Sequence, residues 1–194
     1  MGAAVLWLAF RGIGRSAVLE RLNLQPATEP DPEISGGALP EGWYLVRSRH
    51  GLCHMDDKIM NKACSDCLAV SCYLETHVMV SGAAGWENGR RIWSVVHDCE
   101  QGIDHLEIEG ELPAPSHAIL DRLTAKQKAA GERPRVDYIF DIPIEVAAAV
   151  TGFHFDRGTS AGYPDFEPLE VAVIPQMPAE WWLEPAPEGW FSKY

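Results

Sequence analysis

The sequence predicts a single α+β domain: a central, mainly antiparallel sheet, a few short helices and an extended C-terminal strap. Three observations predict it. Apolar runs of strand length crowd the middle of the chain, and the clearest of them alternates with period two. The helical patterns are short and scattered, so the strand–helix–strand rhythm of a doubly wound sheet does not develop. The last stretch, Pro178 to Tyr194, mixes prolines with aromatic residues, a composition that excludes helix and central strand. A chain of 194 residues buries about 70% of its unfolded surface, enough for a core without a metal or disulfide. The domain is expected over residues 1–177, with 178–194 as a tail packed on it or extending from it.

In chain order, Ala4 to Phe10 reads as a buried strand. Gly12 and Gly14 turn the chain, and Ser16 is placed to cap a short helix through Leu22, with Val18, Leu19 and Leu22 inward. Gln25 to Gly42 is so dense in proline and glycine that it reads as a loop, before a strand from Trp43 to about Ser48. Leu68 to Val80 is the clearest strand. Leu68, Val70, Cys72, Leu74, Thr76, Val78 and Val80 share a core face, and Glu75 and His77 lie on the other. Asn88-Gly89 signals a two-residue hairpin turn, because both positions need positive φ. It would set Glu87 against Arg90 and Trp86 against Arg91, an ion pair and a cation–π contact. Strands follow at Ile92 to His97 and, after a turn at Gly102, Asp104 to Glu109.

Ser116 to Ala130 is the best helix, with Ile119, Leu120, Leu123, Gln127 and Ala130 on one stripe, Ser116 as cap and Gly131 at the C-terminal stop. Val136 to Phe140 reads as a strand. Asp141 and Pro143 open a short helix, Ile144 to Thr151, which Gly152 closes. Leu169 to Ile174 is the last strand, stopped by Pro175. The tetrapeptide Pro40-Glu41-Gly42-Trp43 recurs as Pro187-Glu188-Gly189-Trp190, each copy a turn that delivers a tryptophan.

The formal net charge is -12, carried beside seven tryptophans. Such a surface repels nucleic acid and anionic membrane and steers toward basic partners, while tryptophan is favoured at the centre of protein interfaces. With 46% hydrophobic and 23% charged residues the chain is composed as a folded protein and not a disordered one. The apolar start, Ala3 to Phe10, is too short for a signal segment and has no basic residue before it. No stretch approaches the roughly 20 apolar residues of a membrane span. The five cysteines, an odd number, suggest free thiols and a cytoplasmic setting.

Two clusters hold residues that chemistry uses. Cys64 and Cys67 have C-x-x-C spacing, with Cys53 and His54 upstream and Cys72 beyond, and zinc would accept such a soft set. A structural site normally pairs two such knuckles and only one is present, so buried thiols are the competing reading. His97 and His105 flank a turn. A three-residue loop would oppose them on one face, with Glu75 and His77 as neighbours, whereas a four-residue loop would place them on opposite faces. No nucleophile elbow, phosphate loop or H-E-x-x-H occurs, and Gly12-Ile13-Gly14 lacks the third glycine of a dinucleotide loop.

Two further features suit a binding surface. Glu107, Glu109 and Glu111 alternate with Leu106, Ile108 and Leu112, a solvated strand face or an acidic ladder for a basic partner. In the tail, Trp181, Trp182 and Trp190 stand beside Glu180, Glu184 and Glu188, either plugging the domain's own core or anchoring a partner.

The segments Leu74-Glu75-Thr76-His77-Val78-Met79-Val80-Ser81, Trp86-Glu87-Asn88-Gly89 and Ile92-Trp93-Ser94-Val95-Val96-His97-Asp98 are followed by Gly110-Glu111-Leu112-Pro113, Val136 to Pro143 and Thr151-Gly152-Phe153-His154. From Gly42 to about Phe153 this order resembles a group of uncharacterised bacterial proteins of similar length. More loosely, in size, acidity and aromatic content, the chain resembles small acidic cytosolic immunity proteins that neutralise interbacterial toxins. Neither resemblance brings an active site. The second implies a non-catalytic inhibitor without cofactor, whose partner is a basic protein such as a secreted bacterial toxin. Glu107, Glu109, Trp181, Trp182, Glu184 and Trp190 are its candidate contacts. The alternative is a small metal-dependent hydrolase using Glu75, His77, His97 and His105; separately, Cys53, His54, Cys64 and Cys67 are the candidate metal ligands of the cysteine cluster.

Overall fold

The computed structural model describes residues 4–28, 33–49, 57–131 and 135–172. Among them, nine strands are β1 (Ala4–Arg11), β2 (Leu24–Pro26), β3 (Ile34–Ala38), β4 (Trp43–Ser48), β5 (Leu68–Glu75), β6 (Val80–Glu87), β7 (Arg90–Asp98), β8 (Glu107–Gly110) and β9 (Glu167–Val171). They form one open antiparallel sheet in the order β2-β9-β3-β4-β1-β5-β6-β7-β8. Four helices are described: α1 (Arg15–Arg21), α2 (Asp57–Ala63), α3 (Ser116–Ala130) and α4 (Asp141–Thr151). The architecture is the expected single α+β domain with a central antiparallel sheet. The C-terminal strap lies outside the described residues. No helix among those described is long and apolar enough to cross a membrane.

Both faces of the sheet are covered, which is why its central strands read as almost continuous apolar runs. One face carries Trp7, Ala9, Val70, Cys72, Leu74, Ala83, Trp93 and Val95 against Ile142, Ile144, Val146 and Ala147 of α4. Helix α4 lies across β5, β6 and β7, and α3 packs on α4. The opposite face carries Leu8, Phe10, Val46, Ala69, Ala84 and Trp86 against Val18 and Leu19 of α1 and Met60 and Ala63 of α2. Each shielded aromatic ring removes about 200 Å² from water and contributes roughly 5 kcal/mol of transfer energy. Trp7, Trp43, Trp86 and Trp93 are all core residues of this kind. These four therefore do not support the expectation that the tryptophans are partner anchors; the other three lie outside the described residues.

Several expected elements are corrected. Gln25 to Gly42 is not all loop, since β2 and β3 lie within it. The Gly36-Gly37 pair of β3 sits under Tyr44, Leu169 and Phe166, whose side chains fill the space a Cβ would need. The strand expected over Leu68 to Val80 breaks at a turn, Thr76 to Met79, where Met79 takes φ 53°. Val136 to Phe140 is a turn leading into α4, because the Asp137 carboxylate accepts the N–H groups of Ile139 and Phe140, both at 3.1 Å. Ser16 and Ser116 lie within the first turns of α1 and α3 and make no cap; Gly14 and Pro115 hold those positions. Gly131 and Gly152 do close their helices, at φ 80° and 72°. The Asn88-Gly89 hairpin has the expected register, Trp86 to Arg91 and Glu87 to Arg90. Arg91, however, turns to Glu109 at 3.1 Å and Asp57 at 3.6 Å.

Candidate functional site

The β7–β8 hairpin gathers most of the residues that the sequence singles out. Its register sets Val96 against Glu107, Val95 against Ile108 and Ser94 against Glu109. Extrapolated by one pair, that register opposes His97 to Leu106 and not to His105, so neither loop length expected from the sequence is realised. The connecting turn is wider, and Asp98 holds it. Its carboxylate accepts the Glu100 N–H at 2.9 Å and the Gln101 amide at 3.0 Å, and its own N–H donates to His105 Nδ1 at 3.0 Å.

His97 is wholly buried. Its Nδ1 lies 2.7 Å from the His105 carbonyl and its Nε2 lies 3.0 Å from Asp137 Oδ2. A carbonyl and a carboxylate both accept, so both ring nitrogens must donate, which makes the ring an imidazolium facing an ionised Asp137. Burial opposes the charge on His97. The Asp137 hydrogen bond, the His105 carbonyl and the charges of Asp137 and Asp98 outweigh it, so the imidazole is held above its ordinary value. Burial likewise pushes Asp137 up, but the His97 hydrogen bond, its positive charge and the N–H groups of Phe140 and Ile139 bring the carboxyl below its usual range. Ser81 of β6 adds a hydrogen bond to the Phe140 carbonyl at 2.7 Å, tying the sheet to the same turn. The result is a clasp between sheet and α4. Its ring nitrogens are occupied and have no access to solvent.

The remaining residues of the histidine set lie at the same end of the sheet without converging. Glu75 ends β5, and its Oε1 accepts the backbone N–H of His77, which sits exposed in the following turn. The Cys99 N–H donates to the Met79 carbonyl at 3.2 Å and joins the two turns. Among the described residues, no group of three or more histidine, cysteine, aspartate or glutamate side chains is arranged to hold a metal ion.

Cys64 and Cys67 flank the turn between α2 and β5, where they do structural work with their backbones. The Cys64 carbonyl accepts the Gly89 N–H at 2.8 Å and the Cys67 carbonyl accepts that of Asn88 at 3.1 Å, so this turn holds the β6–β7 hairpin tip. Arg21 fastens it from outside through Asp66 at 2.6 Å and the Ala63 carbonyl at 3.1 Å. The Cys64 thiol donates to the Met60 carbonyl at 2.7 Å. Burial pushes both thiols up, Cys67 to about 11, so that as they stand they are buried, protonated side chains. Cys72 packs on the opposite face of the sheet and is out of reach of this pair. Cys53 and His54 lie outside the described residues.

Glu107 and Glu109 stand on β8, the last strand of the sheet, in which every residue is exposed. Cross-strand rows run inward from them: Glu107, Val96, Gly82 and Tyr73, then Glu109, Ser94, Ala84 and Ser71. The Tyr73 ring covers Gly82, occupying the space of a side chain there. Its hydroxyl is raised by burial and then by the charges of Cys72, Asp98 and Glu107. Glu109 shares Arg91, whereas Glu107 has no ion pair among the described residues. Ile108, on the other side of the strand, is 41% exposed, and Ile92, the extra residue at the β6–β7 bulge, is 43% exposed. Trp181, Trp182, Glu184 and Trp190 lie outside the described residues.

Two features of the structure are not legible in the sequence. The first is Asp137 as the partner of His97. The signal available was an Asp followed by a helix opening, and the 40 residues separating it from His97 hid the pairing. The second is a shallow cleft of about 350 Å³ between α4 and the loop after it, lined in part by Glu145, His154, Arg157 and Thr159. Its charges satisfy one another: Arg157 bonds Glu145 at 2.7 Å and His154 bonds Asp156 at 2.5 Å. No family model, curated protein or solved structure matches the chain.

Proposed function

We propose that the protein is a non-catalytic binder of a basic protein, an immunity-type inhibitor that occludes the active site of a bacterial toxin. The observation that carries this reading is the open acidic edge at β8, where Glu107 and Glu109 stand in solvent on a chain of net charge -12. Carboxylates fixed on a rigid strand approach a basic site as its anionic substrate would, and the field of the whole molecule raises the association rate. The closed environment of His97 supports binding over chemistry, because an occupied ring takes no proton from a substrate.

The test is recovery of the partner that co-purifies with the tagged protein from its native host. A basic protein is expected, held by an interaction that weakens steeply with salt. Charge reversal by Glu107→Lys with Glu109→Lys should abolish recovery. An unaltered complex with the doubly reversed variant would remove the acidic edge from the account.

A further inference from the structure

The acidic edge also suggests how a partner docks. Resting on the binding reading, we infer that β8 receives an extended segment of the partner as an added strand, with lysine or arginine opposite Glu107 and Glu109 and an aliphatic residue beside Ile108.

Strand β8 pairs with β7 alone and ends the sheet, and no described strand lies beyond it. In an antiparallel ladder alternate residues turn N–H and C=O away from the paired neighbour, so part of the β8 backbone points to solvent ready to pair. The opposite edge is built differently. Strand β2 spans three residues and ends on Pro26, which has no N–H to offer. The β8 segment contains no proline, and the sheet's bulge falls between β6 and β7 instead of at this edge. Charged residues alone would blunt an edge, but a purely defensive edge has no use for an isoleucine 41% exposed within it.

Charge selects the occupant. A second copy of this chain, added antiparallel about Ile108, would set Glu107 against Glu109 twice, a repulsive pairing. A basic segment turns both contacts attractive. Four residues are too few for backbone pairing to hold a partner by itself, so the carboxylates supply register and encounter rate while the backbone supplies geometry. Glu107 carries more of this than Glu109, which already shares Arg91.

The experiment uses the full chain and a fluorescently labelled synthetic peptide of alternating lysine and valine. Binding is read by anisotropy at low salt and by amide hydrogen exchange. The expected result is slowed exchange at residues 107–110. N-methylation of one alternate set of peptide amides should weaken binding at least about tenfold, and methylation of the other set should not. Rotating the peptide about its own axis to present its free edge would place valine and not lysine on the glutamate side. Only reversing it to run parallel to β8 would pair the other set of amides with the lysines still there, so the methylation contrast reads an antiparallel added strand. A glutamate–valine peptide should fail with the natural chain and bind the variant carrying Glu107→Lys and Glu109→Lys. Equal binding of both methylated peptides would overturn an antiparallel added strand, and protection elsewhere would overturn strand addition at β8, while a charge-driven binder would stay intact. No binding of the lysine–valine peptide would overturn the docking edge itself, and partner recovery from the host would still report separately on the binding reading.

Discussion

On the inner side of the β7–β8 hairpin, Asp137 meets His97 at 3.0 Å, with side chains 7% and 0% exposed. On its outer side Glu109 meets Arg91 at 3.1 Å, with side chains 57% and 36% exposed, and Glu107 stands nearby. The pairs are nearly equal in length and differ in surroundings. A buried pair has no water to replace a lost partner, so removal of one member leaves an uncompensated charge. The exposed pair is screened and contributes about 0–1 kcal/mol. One hairpin thus separates two uses of acidic residues. The inner carboxylate holds α4 to the sheet, and the outer ones stand in solvent at the sheet edge.

The largest effect should follow from opening the inner pair. His97→Ala is expected to destabilise the fold by about 3–5 kcal/mol in urea unfolding, because Asp137 is then buried without its partner. A loss below about 1 kcal/mol would mean that the clasp is not structural. Next in size is Gly82→Ala, whose new Cβ would fall within 2.2 Å of the Tyr73 ring. Displacing that ring should lower stability by about 1–3 kcal/mol, and Tyr73→Ala in the same chain should relieve the strain.

The pH dependence sharpens the same contrast. His97 is raised on folding, so its contribution is complete below the ordinary imidazole value of about 6.5 and is lost as pH rises through the folded value. Asp137 is lowered, so its contribution is complete above about 3.9 and is lost as pH falls through the folded value. Between those limits the pair is fully effective. Asp137→Asn should remove the alkaline loss from the unfolding profile, and a profile identical to that of the natural chain would contradict the pairing. The smallest effect on folding is expected at the outer edge. Arg91→Ala should shift stability by at most about 1 kcal/mol, a difference that added salt should shrink.

The sheet was largely legible because hairpin chemistry and alternation are local signals. Asn88-Gly89 sets its own register, and the Glu107, Glu109 alternation marks β8 as a solvated strand from the residues alone. The errors arise where distant contacts override local preference. Gly36 and Gly37 look like chain breakers until Tyr44 and Phe166 are seen to fill their space. Val136 to Phe140 has the composition of a strand, yet one carboxylate captures two backbone N–H groups and turns it into a helix start. The alternation from Leu68 to Val80 continues straight through a turn, since period-two patterning does not record where a strand reverses. The candidate site divides the same way. Exposure of Glu107 and Glu109 could be read locally, whereas the role of His97 depends on an aspartate 40 residues away.

The most direct measurement is the affinity of the natural partner for the chain carrying Glu107→Lys and Glu109→Lys, alongside unfolding of that variant. The variant is expected to unfold within about 0.5 kcal/mol of the natural chain and to form a complex weakened at least about tenfold. A partner that holds the reversed chain as firmly as the original would show that recognition happens elsewhere.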